Sequence, residues 1–159
     1  MTKKTIILGM GNTILTDDGA GIYVVRMIKK IVDHDSKSVT IKETSLGGFN
    51  FIDLLAGFDR AVIIDAIHTK GGTPGEFYEL DPKALKPSSR LSSLHGIDFA
   101  TACEMAVQMD VSFPSEIKIF VIEVQDEFTF GEACTPQVTE ALPRMAESIT
   151  QELMKSGWL

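Results

Sequence analysis

Residues 60–66, Arg-Ala-Val-Ile-Ile-Asp-Ala, form an unbroken apolar run that closes on one acid. Apolar side chains on both faces of a strand call for cover on both, the situation of a central strand in a parallel sheet packed between helices. The run therefore asks for an α/β architecture in which the rest of the chain supplies the covering helices. Asp65 falls at the carboxyl end of this strand, the edge at which open α/β sheets build their sites. A carboxylate there is costly to bury without a partner, which marks Asp65 as a site candidate ahead of a purely structural acceptor.

A second apolar run, residues 5–8, leads through Gly9 to Gly21, GMGNTILTDDGAG, into a helical pattern. Strand, turn and helix start in that order place the loop at the same carboxyl edge. Asp17 and Asp18 stand at the helix entrance. One acid there caps free amides and favours the positive end of the helix dipole, which leaves the other to face the cleft. Ala20, Val24, Val25, Ile28, Ile31 and Val32 recur at helical spacing on one side of residues 18–33.

Residues 39–43 alternate apolar and polar and read as a second, edge strand. Gly47 and Gly48 form a turn into a short helix bearing Phe51, Ile52, Leu54 and Leu55. Residues 76–80 suit a further strand, antiparallel at a sheet edge, and residues 81–93 read as a long surface loop. That loop delivers His95 to the first turn of a helix carrying Phe99, Ala102, Cys103, Ala106 and Met109, with Ser92 or Ser93 as cap. Residues 116–124 form the last strand. It ends in an acidic loop from Glu123 to Glu132, and then comes a helix with Thr135 as cap, Pro136 in its first turn and a kink at Pro143. The expectation is one domain over residues 1–159, a three-layer α/β/α sandwich with a twisted, mainly parallel sheet of about five strands.

Composition narrows the function. A net charge of −7 argues against a nucleic-acid surface, which needs clustered Lys and Arg. No apolar run approaches the roughly 20 residues that span a bilayer, and no signal-peptide segment opens the chain, so no membrane role and a cytoplasmic location are expected. Cys103 and Cys134 make no CxxC pair. A Cys103 nucleophile with His95 is disfavoured because Cys103 falls on the apolar face of its helix. The third glycine of a dinucleotide fingerprint is Ile14, and neither a Walker sequence, a GxSxG elbow nor an HExxH helix is present. What remains is Asp17 or Asp18, Asp65 and His95, from three loops of one sheet edge. These are ligand types for a divalent cation such as zinc or nickel, and three ligands leave coordination positions open.

GMGNTILTDDGAG, the strand VIIDA and the segment Ser-Leu-His95-Gly before a helix together resemble the nickel-iron hydrogenase maturation endopeptidases, in order from Thr5 to about Leu153. The resemblance implies a protease that removes the C-terminal extension of the hydrogenase large-subunit precursor after nickel insertion. Matched position by position, it implies that Asp18, Asp65 and His95 are the ligands that reach the nickel, which is carried by the substrate. Gly47 and Gly48 match the paired glycines that help to recognise substrate. Leu46 stands where the family often has Asp, so contact with the precursor is expected to differ there. No tightly bound organic cofactor is implied, and other divalent cations are expected to enter the site in vitro. The competing readings are a non-enzymatic nickel-sensing chaperone for the precursor and an unrelated metal-dependent hydrolase of small molecules.

Overall fold

The computed structural model describes residues 2–32, 37–46, 50–82 and 99–159. Their strands are β1 (Thr5–Met10), β2 (Val39–Thr44), β3 (Arg60–Ile67), β4 (Phe77–Leu80) and β5 (Glu116–Glu123). They form one sheet in the order β2-β1-β3-β5-β4. All neighbouring pairs are parallel except β4 with β5. The apolar run of residues 60–66 is thus the central strand, and the alternating segment after Val39 is an edge, as their patterns require. β4 takes the other edge, antiparallel, as expected.

The helices are α1 (Ala20–Ile31), α2 (Asn50–Leu55), α3 (Phe99–Gln108) and α4 (Pro136–Lys155). Alternation along β3 divides the core. Val62, Ile64 and Ala66 pack with α1 and α4, whereas Ala61, Ile63 and Ile67 pack with α2 and α3. Ile63 and Ile64 are both fully removed from water, each worth roughly 1.5–3 kcal/mol of burial. Phe99 at the start of α3 meets Phe51 of α2 edge-on, with ring centroids 5.2 Å apart.

Helix α1 buries Ala20, Val24, Val25 and Ile28 and ends with Lys29 and Lys30 in its last turn, where cations suit the dipole. Ile31, expected on the buried stripe, is instead half exposed because the helix stops there. Met109 departs in the same way. It lies beyond the end of α3, beside Asp110 with φ of +55°, and points into solvent. In α4, Val138, Leu142, Met145, Ile149 and Leu153 are buried, and the helix runs on through Pro143. Thr135 is the residue before α4 and Pro136 its first, but the Thr135 hydroxyl makes no capping bond to the helix.

Candidate functional site

The carboxyl ends of β1 and β3 lie side by side at the middle of the sheet, with Gly9 opposite Ile64. From β1 the chain turns into a short 3-10 helix, Thr16–Gly19, which carries Asp17 and Asp18 and packs against β3. Two glycines make that approach possible. A Cβ on Gly11, whose φ is +144°, would come within 1.9 Å of the Asp18 carbonyl oxygen. On Gly21 it would come within 2.4 Å of the carbonyl oxygens of both Met10 and Ile64. The glycines of GMGNTILTDDGAG therefore let the turn and α1 settle directly onto the strand ends.

The two adjacent acids differ in burial. Asp17 is 0% exposed, and its Oδ2 accepts the backbone amides of Gln125 (3.0 Å) and Asp126 (2.9 Å). Its Oδ1 accepts the Thr135 amide at 2.6 Å. Asp17 is a clamp that ties the segment after β5 and the start of α4 to the 3-10 helix. The Asp17 carboxylate therefore serves the distant β5–α4 connection and not its own helix. A buried carboxylate must find donors, and those on offer belong to the distant β5–α4 connection. Asp18, in the same turn, is only partly buried.

Asp65 is 8% exposed and accepts the Ala66 amide at Oδ1, 2.8 Å away. Its neighbours two residues away on the strand, Ile63 and Ile67, face the α2 and α3 layer, so Asp65 sits on that face of β3. Asp18 and Asp65 are thus carried to one sheet edge by adjacent strands. His95, Gly47 and Gly48 lie outside the described residues, as do His34, Ser92, Ser93 and most of the loop of residues 81–93. Among the described residues, no three His, Cys, Asp or Glu side chains gather as a metal-binding group.

Two acids read simply as part of an acidic loop are buried near this edge. Glu123 accepts the Thr69 amide (3.1 Å), the Thr69 hydroxyl (2.6 Å) and the Tyr78 hydroxyl (2.8 Å). Burial first, and then that bond, push Tyr78 up to about 12. Glu127 is also buried, 4.0 Å from Nδ1 of the half-exposed His68. An acid placed just beyond an apolar strand is the available sequence signal for both, the same signal that singled out Asp65.

Neither cysteine has the character of a nucleophile. Burial, helped by Glu104, pushes Cys103 up to about 11. Burial and the nearby Asp17 push Cys134 up to about 12. Both are protonated at neutral pH, so thiolate chemistry is not what this fold presents.

A profile of the hydrogenase maturation protease family, HycI, matches residues 22–152. The chain belongs to the hydrogenase maturation protease family. It is 26% identical over 159 residues to the hydrogenase 2 maturation protease of Escherichia coli K12, covering 97% of this chain and 93% of that one. To the hydrogenase expression/formation protein HupD of Rhizobium leguminosarum bv. viciae it is 25% identical over 156 residues, covering 97% of this chain and 76% of the other. Among solved structures, the NiFe hydrogenase maturation protease HycI from Thermococcus kodakarensis KOD1 superposes with a TM-score of 0.69 at 25% identity, over 96% of this chain and 93% of that one. The E. coli hydrogenase maturating endopeptidase HybD shares the fold, with a TM-score of 0.75 at 22% identity over 97% and 94%.

A hydrogenase maturation protease is a hydrolase of peptide bonds, and its protein partner is a hydrogenase precursor. The α/β sandwich with five strands is the fold of these proteases. Among the described residues, no helix is long and apolar enough to cross a membrane.

Proposed function

We propose that this maturation protease removes the C-terminal extension of a nickel-iron hydrogenase large-subunit precursor only after nickel has been inserted, with Asp18, Asp65 and His95 reaching for the nickel that the substrate carries. The observation that supports the reading is the difference in burial within the acid pair. Asp17 is spent on the β5–α4 clamp, while Asp18 shares the central sheet edge with Asp65. Two carboxylates and an imidazole from separate loops suit a divalent cation and leave coordination positions for the substrate's own ligands. A precursor without nickel offers these groups nothing to bind, so cleavage waits for loading. Once docked, the metal fixes the scissile bond over the edge. A water adds to its carbonyl carbon, the C–N bond breaks and the leaving nitrogen takes a proton.

Gly47 and Gly48, ahead of α2, contact the precursor in this reading, with Leu46 changing that contact from the family's usual acid. No organic cofactor takes part, and other divalent cations enter the ligand set in vitro. We place the reaction in the cytoplasm, and the unpaired Cys103 and Cys134 agree with a reducing compartment.

The test is to incubate the purified protein with its cognate large-subunit precursor, with and without nickel, and weigh the products. Loss of a C-terminal peptide from the loaded precursor alone is expected. An intact precursor that binds tightly only when loaded would instead make this chain a metal-sensing binder, and equal cleavage of both forms would remove the nickel gate.

A further inference from the structure

Phe128 (72% exposed) and Phe130 (80% exposed) are the most exposed aromatic side chains among the described residues, and they stand on one loop. That loop is held on both sides. Asp17 accepts the amides of Gln125 and Asp126, and the Asp17 amide donates back to the Asp126 carbonyl at 2.8 Å. Oδ1 of Asp126 accepts the amides of Phe128 (3.0 Å) and Thr129 (2.9 Å). The Thr16 hydroxyl donates to the Thr129 carbonyl, the Thr16 amide to Gly131 (2.9 Å), and the Gly131 amide to Ile14 (3.0 Å). Ile14, itself 49% exposed, therefore lies beside the loop at the bridge between Leu15 and Gly131. Three large, exposed apolar residues thus stand on an ordered backbone, and one of them, Ile14, is four residues from Asp18. Scattered single apolar residues need no explanation, but a fixed group beside a site marks an interaction surface.

We propose that Ile14, Phe128 and Phe130 form a docking ridge for the stretch of the hydrogenase precursor next to the cleaved bond, a segment with apolar side chains and at least one basic residue. The proposal rests on the endopeptidase reading above. Continuity supplies the first argument, because the ridge is hydrogen-bonded to the turn that carries Asp18, and a peptide lying over that edge must leave along a flank. Charge supplies the second. The ridge is bordered by the acids Asp126 and Glu132 in a chain of net charge −7, which favours a segment with a cation. The same charges oppose a second copy, since a two-fold contact through the ridge would bring like acids together. Hydrogen bonds from Thr129 and Phe128 hold the Asp126 carboxyl below its usual range, so Asp126 is ionised at neutral pH.

Cleavage of the nickel-loaded precursor is measured for the wild-type protein, the double variant Phe128→Ser/Phe130→Ser and the control Val107→Ser, an exposed apolar position on α3. Thermal midpoints check folding, and Phe130→Ser alone replaces the pair if the double variant unfolds. KM is expected to rise at least tenfold in the ridge variant with kcat within threefold, and to stay unchanged in the control. A KM within twofold of wild type, with the wild type active, overturns the ridge and leaves the endopeptidase reading standing. A wild-type dimer that the ridge variant loses in sedimentation velocity, with unchanged KM, assigns the surface to a second copy and also overturns it. A wild type that cuts nothing removes both readings together.

Discussion

Oδ1 of Asp17 accepts the Thr135 backbone amide at 2.6 Å, and the Thr135 hydroxyl lies 3.0 and 2.9 Å from the two oxygens of the same carboxylate. The residues are 118 positions apart, so this contact joins the first turn of the chain to the start of its last helix. It places a negative group at the amino end of α4, where the helix dipole favours it. It also explains why Thr135 holds the cap position without capping. The hydroxyl that would normally serve its own helix is turned to the acid.

Removing the Asp17 carboxylate strands the amides of Gln125, Asp126 and Thr135 together. Asp17→Ala is expected to cost about 3 kcal/mol or more, because each unsatisfied donor away from water carries a penalty of roughly 1–3 kcal/mol. Asp18→Ala, at a partly exposed position, is expected to stay within about 1 kcal/mol of wild type while abolishing cleavage. Urea denaturation beside a precursor assay separates them. If Asp18→Ala is the unstable variant, the roles assigned to the pair are reversed.

Asp65 combines a local bond with a proposed ligand role, and a single substitution can separate them. Asp65→Asn retains an oxygen to accept the Ala66 amide but loses the negative charge. The variant is expected to melt within a few degrees of wild type and to lose at least a hundredfold in cleavage. Near-normal turnover in a folded Asp65→Asn protein would take Asp65 out of the ligand set.

Much of the fold can be read from local pattern, because strand burial is written in residues that are neighbours. The unbroken apolar run of β3 requires two covered faces, and the alternation in β2 requires one. What local pattern misses is set by distant partners. Glu123 resembles a loop acid until Thr69 and Tyr78, 54 and 45 residues away, come to meet it. Asp17 and Asp18 are adjacent and chemically identical, and only the incoming β5–α4 connection distinguishes them. Met109 continues the apolar spacing of α3, but the turn at Asp110 ends the helix before that spacing can be used. His95, Gly47 and Gly48 lie outside the described residues, and their roles rest on the family resemblance.

The close seat of α1 depends on Gly21. A methyl group there meets two carbonyl oxygens at 2.4 Å, both on sheet strands rather than on flexible side chains. Gly21→Ala is expected to destabilise by about 1–3 kcal/mol, the usual cost of forcing extra volume into a packed core. It should also impair cleavage, since α1 continues directly from the turn that carries Asp18. A variant as stable as wild type would show that the helix can lift from the strands without loss.

The two thiols give a chemical check on the absence of cysteine chemistry. With Cys103 up to about 11 and Cys134 up to about 12, iodoacetamide at pH 8 is expected to label the folded protein at least tenfold more slowly than the unfolded chain. Rapid labelling of either residue in the folded protein, read by peptide mass mapping, would reopen the case for a nucleophilic thiol.

Tyr78 predicts a pH dependence whose sign is fixed. Its phenol ionises near 10 in the unfolded chain and at about 12 in the folded one, so the folded state holds the proton more tightly between those values. Its contribution is complete below pH 10 and is lost as pH rises through 12. Tyr78→Phe gives up the bond to Glu123, about 1 kcal/mol at neutral pH, but has no phenol to ionise. Wild type should therefore be the more stable protein at pH 8, and the gap should close as the pH is raised from 10 to 12. Urea midpoints taken across that window measure the gap directly. Curves that stay parallel would mean that the Tyr78 proton is held no more tightly in the fold than in the open chain.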